Sequence, residues 1–163
     1  MERIWAPWRM EYVGGGGETG DKKCFLCADP SRDEESLVVG RAGEAFVIMN
    51  RFPYTNGHVL VVPVRHAGSI EELTDQEALD TIRLVKVMSS IFKKDWSAHG
   101  VNIGINSGRA AGAGLEDHFH IHIVPRWFGD TNFMPVMGDV RVISEHIMES
   151  YARLKSRFVE QLL

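Results

Sequence analysis

Cysteine is scarce in this chain: among 163 residues only Cys24 and Cys27 carry thiols. A framework of structural disulfides is thereby excluded. The Cys-x-x-Cys spacing fits a metal or redox site in a reducing compartment better. Long apolar runs are missing too, and no stretch reaches the roughly 18 residues that a membrane-spanning helix needs. The start, Met1 to Arg9, carries charges and Pro7 where a signal peptide would need an apolar core. No membrane role is expected, and the expected location is the cytoplasm. Nor is positive charge in excess: 18 Lys and Arg against 22 Asp and Glu give a formal net charge of −4. That balance offers no general attraction for nucleic acid, which is not an expected partner, but leaves a small phosphate-bearing ligand open.

With 44% hydrophobic residues the chain suits one soluble domain over 1–163, an aromatic arm and glycine-rich loop at 1–23 and a body at 24–163. The arm holds Trp5, Pro7, Trp8 and Tyr12, costly to leave in water and so expected to pack on the body or on a second subunit. Gly14 to Gly17 should form a mobile loop.

Leu37 to Val39 and Ala45 to Met49 read as two strands joined across Gly40 to Glu44, with Gly43 in the turn. His58 to Pro63 reads as a third strand ended by proline, and Gly100 to Asn106 as a fourth. Between them Thr74, with Glu77 three residues on, starts a long helix to about Asp95, its stripe of Ile82, Val85, Met88, Ser89 and Phe92 facing the sheet. Ser144 and Glu145 precede a closing helix with Ile147, Met148, Tyr151, Leu154, Phe158 and Leu162 on its periodic positions.

The most informative run is His118-Phe119-His120-Ile121-His122-Ile123-Val124. Read as a fifth strand, it projects its histidines to one face and its apolar residues into a core. An imidazole with one nitrogen bonded to a fixed acceptor keeps a lone pair on the other, which can attack phosphorus without prior proton transfer. The middle residue, His120, is the best candidate for that role, and His122 for stabilising charge on phosphate or protonating a leaving group. The preceding loop, including Gly112, Ala113 and Gly114, could bring backbone N–H groups to a phosphate or could simply be a flexible connection. Cys24 and Cys27 could share a closed, structural zinc site with His66 and His118, or be ordinary reduced thiols. His99 and His146 have no motif around them and read as surface residues.

The histidine run matches the signature of the histidine triad family at every position, with apolar residues between and after the histidines. The resemblance extends to Asn50 through Pro53, Gly57 through Pro63, and Asn106-Ser107-Gly108. More narrowly, Asn106 to Gly114, His118 to Trp127, Gly129 to Pro135 and the arm's Trp5 to Met10 are similar to the bacterial branch of diadenosine tetraphosphate phosphorylases and ATP adenylyltransferases. The resemblance implies an α+β fold with a five-stranded antiparallel sheet, one long internal helix and a C-terminal helix. It also implies a homodimer, which could pair into a tetramer, and a nucleotide substrate cleaved at its α-phosphate. By the same resemblance His120 would form a nucleotidyl-histidine and His122 would contact phosphate. Asn50 would meet ribose hydroxyls, Asn106 phosphate, and His58 belongs to the upstream substrate-binding motif. Cys24, Cys27, His66 and His118 would bind structural zinc. Trp127 would shape the nucleotide pocket or sit in a core or interface.

One departure is clear. Where many family hydrolases carry Gln followed by Ser or Thr, this chain has Ala113-Gly114 in a longer loop. That weakens a simple phosphoramidase reading and favours the phosphorylase branch. The expected function is cleavage or transfer on a dinucleoside polyphosphate; phosphoramidate hydrolysis and a regulatory nucleotide-binding role without turnover are the alternatives.

Overall fold

The computed structural model describes residues 24–113, 117–130 and 143–162. The expected arm and four-glycine loop, Gly114, and the segment after Asp130 that resembles the phosphorylase branch lie outside the described residues.

The described residues open with a 3-10 turn at Pro30–Arg32 and a short helix, α1 (Asp33–Ser36), then build β1 (Val38–Ala42), β2 (Ala45–Met49) and β3 (Val59–Pro63). After a 3-10 turn at Ile70–Glu72 comes the long helix α2 (Asp75–Asp95), followed by β4 (Gly100–Ile105), β5 (Ile121–Arg126) and α3 (Ile147–Leu162). The strands form one five-stranded sheet in the order β1-β2-β3-β5-β4. Every neighbouring pair is antiparallel, so the α+β reading holds. Among the described residues no helix is long and apolar enough to cross a membrane.

The first hairpin is longer than its sequence suggests, because β1 continues through Gly40 to Ala42 and leaves only Gly43 and Glu44 to turn. Gly40 lies in the strand because the Phe158 ring packs where a side chain would be: a Cβ there would come 2.2 Å from it. Gly43 takes φ +58°, a conformation that other residues rarely adopt. The Asp80 carboxylate accepts from Glu44 N at 3.1 Å and pins this turn to α2.

Helix α2 begins as expected. Thr74 Oγ1 accepts from Glu77 N at 3.2 Å, and the Glu77 carboxylate accepts from Thr74 N at 2.8 Å, a reciprocal capping box. Its buried face differs from the expected stripe. Thr81, Leu84, Val85, Met88, Ile91 and Phe92 are buried whereas Ile82 is 51% exposed, because the packed side of α2 is the one that meets the sheet and α3. Buried Tyr151, Leu154 and Phe158 of α3 join that core, with Val47, Val61, Ile121 and Ile123 of the sheet. On the opposite face a second cluster of Val38, Phe46, Ile48, Leu60 and Val62 packs Leu26 of the Cys-x-x-Cys segment. The two faces thus carry different loads, helices on one and the cysteine segment on the other.

Candidate active site

The histidine run is not one uninterrupted strand. β5 starts at Ile121, pairing with Val61 on β3 and with Ile105 on β4. His118 to His120 precede it because Phe119 N donates to Ala67 O at 2.6 Å instead of entering the ladder. The expected row of three rings therefore divides into one and two. The His118 ring meets His66, with centroids 4.9 Å apart, while the His120 and His122 rings lie 5.0 Å apart at 69°.

His118 is completely buried and turns to the cysteines. Its Nδ1 lies 3.4 Å from Cys24 Sγ and 3.6 Å from Cys27 Sγ, and Cys27 Sγ lies 3.3 Å from His66 Nδ1. All four ligand atoms fall within 4.8 Å of one another. A tetrahedral ion with bonds of about 2.0–2.3 Å needs donor separations of roughly 3.3–3.8 Å; the donor chemistry fits such an ion, and so do the 3.3, 3.4 and 3.6 Å separations. His118 Nε2 donates to Pro63 O at 3.0 Å, which leaves Nδ1 as the lone pair facing the sulfurs. Burial lowers the His118 pKa, favouring the neutral ring that a ligand must be. The Cys27 thiol is raised by desolvation and by neighbouring Cys24, a penalty that a bound cation would reverse.

His120 is buried and donates from Nδ1 to His118 O at 2.8 Å. Its Nε2 therefore carries the lone pair. Burial pushes its pKa down, against the opposing pull of that carbonyl, so the ring is neutral at pH 7. His122 is half-buried on β5, and its Nδ1 lies 3.0 Å from His58 Nε2.

His58, from the expected substrate-binding motif, is held inside the protein rather than at its surface. It is 0% exposed, just ahead of β3, and reaches the site through His122. Asn50, half-buried after β2, accepts from Phe52 N with Oδ1 at 2.9 Å and is tied to His58 by a 3.0 Å backbone bond from its own N–H. Asn106 lies one residue beyond the Ile105 to Ile121 pair, beside His120 at the same end of the sheet.

The glycine loop closes a 3-10 turn at Arg109–Ala111, in which Gly112 N donates to Arg109 O at 2.9 Å and Ala113 N to Gly108 O at 3.3 Å. Those two N–H groups, which the sequence left open to a phosphate or to a plain connection, donate within the turn. Trp127 stands at the other end of β5 from His120, where its indole donates to Trp96 O at 3.2 Å and packs on the helix-side core. Of the two readings for Trp127, the core fits these contacts. His99 and His146 are exposed, as expected.

Sequence reasoning missed Tyr54. Its N–H donates to His58 Nδ1 at 3.1 Å, and its ring lies 5.9 Å from His122, nearly parallel at 17°. Its main contact is a backbone amide, which has no side-chain signature to read. Thr55 holds the turn in place by donating from Oγ1 to Pro125 O on β5 at 3.1 Å.

The HIT domain model matches residues 31–129. A protein of Mycobacterium tuberculosis (strain CDC 1551 / Oshkosh) named AP-4-A phosphorylase is 33% identical over 99% of this chain and 86% of its own length. The asymmetrical bis(5'-nucleosyl)-tetraphosphatase of Schizosaccharomyces pombe is 36% identical over 56% of this chain and 50% of its own length. In fold, the chain resembles a Zn-bound histidine triad family protein from Mycobacterium smegmatis, with TM-score 0.66 and 22% identity over 87% of this chain and 97% of that one. With the HIT domain matched over residues 31–129 and a relative 33% identical over nearly the full chain, this chain belongs to the histidine triad (HIT) family.

Proposed function

We propose that the chain is a nucleotidyl-transferring enzyme acting on a dinucleoside polyphosphate such as diadenosine tetraphosphate, with inorganic phosphate as acceptor. One observation carries the reading: His120 Nδ1 is bound to His118 O at 2.8 Å, so Nε2 is a lone pair on a buried, neutral ring. That nitrogen attacks the α-phosphorus, the N–P bond forms, and the bond to the bridging oxygen breaks with departure of ATP. The His118 carbonyl stabilises the positive charge that the ring then carries. His122 faces the same phosphate, and Asn50 and Asn106 flank it. Phosphate oxygen next attacks the nucleotidyl-histidine, restores the ring and releases ADP. Support for the substrate comes from the Mycobacterium tuberculosis relative named AP-4-A phosphorylase and the Schizosaccharomyces pombe tetraphosphatase.

Cys24, Cys27, His66 and His118 would hold zinc. The ion would supply a closed structural crosslink between the cysteine segment and the chain just ahead of β5, remote from any bond that changes. A homodimer is supported by β4, an edge strand whose Ile103 and Ile105 are 52% and 42% exposed. A long apolar edge of this kind is normally covered by another chain.

Chromatographic separation of products tests the reaction. ATP and ADP formed from diadenosine tetraphosphate only when phosphate is present is the expected result. ATP and AMP without phosphate would make water the acceptor, and no products would overturn the reading.

A further inference from the structure

Two linked hydrogen bonds, through His58, fix where the His122 proton lies. Tyr54 N–H donates to His58 Nδ1 at 3.1 Å, so that nitrogen is an acceptor and cannot also carry a proton. A neutral His58 must then hold its proton on Nε2, and Nε2 faces His122 Nδ1 at 3.0 Å. The donor is therefore His58 and the acceptor is His122 Nδ1. The neutral His122 ring is left with its proton on Nε2. Asn50 Nδ2 lies 3.4 Å from both ring nitrogens of His58, farther than the Tyr54 amide at 3.1 Å and the His122 ring at 3.0 Å, and so is the weaker partner of each. The opposite arrangement, with His122 donating, would set a proton on His58 Nδ1 against the Tyr54 amide proton.

We infer that Tyr54 and His58 are positioning residues that hold His122 in its Nε2–H form, so that it meets a phosphate as a donor. The inference rests on the proposed function for its catalytic meaning, but its geometry is independent of any substrate. The physical stake is the sign of the contact: an N–H turned to phosphate oxygens attracts them, whereas a lone pair in the same place repels them. His58 suits the task because it is 0% exposed, which denies water access to the bond. The Tyr54 ring adds orientation, with centroids 4.5 Å from His58 and 5.9 Å from His122. Thr55, through its bond to Pro125 O at 3.1 Å, keeps the turn bearing Tyr54 in register with the strand bearing His122. Among the contacts described, His58, Tyr54 and His120 face His122.

The test is the proton position itself. Nitrogen-15 spectra of the protein labelled in histidine, taken about two units above the ordinary imidazole pKa, are expected to show His122 with a bare Nδ1 and a protonated Nε2. In His58→Phe the Nδ1 partner is gone, so the His122 proton is expected to spread over both nitrogens. Turnover of diadenosine tetraphosphate should then fall about 10- to 100-fold in kcat with little change in KM, the usual scale for a residue that orients another. His58→Gln, whose amide nitrogen stands near the Nε2 position and can donate, should restore both the tautomer and most of kcat. Should His58→Phe fail to fold, the wild-type and His58→Gln spectra still decide. A wild-type His122 protonated on Nδ1, or a His122 tautomer unmoved in His58→Phe, would overturn the inference. Absent turnover in a wild type that keeps the Nε2–H form would instead overturn the proposed reaction and support the positioning role.

Discussion

Three chemically identical rings within five residues are set to different tasks by the group that claims one nitrogen of each. Pro63 O takes the Nε2 proton of His118 and frees Nδ1 for the cysteine cluster, while His118 O takes the Nδ1 proton of His120 and frees Nε2. His120→Ala removes the lone pair so placed and should reduce kcat on diadenosine tetraphosphate by at least about 10³-fold, measured by steady-state product formation. The variant should stay folded, because the buried ring gives up one hydrogen bond and no part of the apolar core. The importance of His120, and the grouping of Cys24 and Cys27 with His66 and His118, could be read from the spacing of residue types. The proton positions could not, since they depend on carbonyls and an amide, those of Pro63, His118 and Tyr54, that any sequence supplies. The burial of His58 was hidden for a related reason: its strand alternates apolar residues on both faces, and nothing in the pattern says that the polar end lies beneath His122.

At the scale of elements, local signals served where the element owes its form to its own residues. The Thr74 and Glu77 pair marks the start of α2 because a capping box is closed within one turn. Arg65 then adds a contact no local pattern contains, donating to both Glu77 oxygens at 2.8 Å and tying the segment that carries His66 to α2. That bond, with the Thr74 amide, holds the Glu77 carboxyl down at about 2 against an ordinary 4.5. A depressed carboxylate contributes stability that is complete above its unfolded pKa and lost as pH falls through the folded one. Thermal melts should therefore show wild type losing stability more steeply between pH 4.5 and about 2 than Glu77→Gln does. At neutral pH Arg65→Ala should cost about 1–3 kcal/mol by leaving the buried carboxylate short of its donors, read from urea midpoints. Gly43→Ala should cost about 1–3 kcal/mol, because at φ +58° its Cβ would stand 2.3 Å from an Asp80 oxygen. The strand at 118–120 was misread for a tertiary reason. Its residues alternate as a strand should, but Ala67 O takes the Phe119 amide proton away from the ladder.

In the whole molecule the sheet acts as a divider, with the helical core on one face and the cysteine segment on the other. The metal proposed for the four-residue cluster would hold this second layer, anchored otherwise by Leu26. Exhaustive chelation should lower the melting temperature by about 10 °C, the equivalent of ~4 kcal/mol for an ion present at a thousandfold over its Kd, and re-addition of zinc should restore it. The edge of the sheet bears on assembly. Ile103→Lys with Ile105→Lys should convert a dimer to a monomer in sedimentation, with the fold retained, since both side chains are exposed within one chain. The central claim is that a nucleotide is carried on His120. Its most direct test is mass spectrometry of peptides from enzyme quenched during turnover of diadenosine tetraphosphate. An adenylyl group on the peptide at His120 Nε2, lost in His120→Ala, is the result predicted. An adduct on another residue, or continued turnover by His120→Ala, would contradict it.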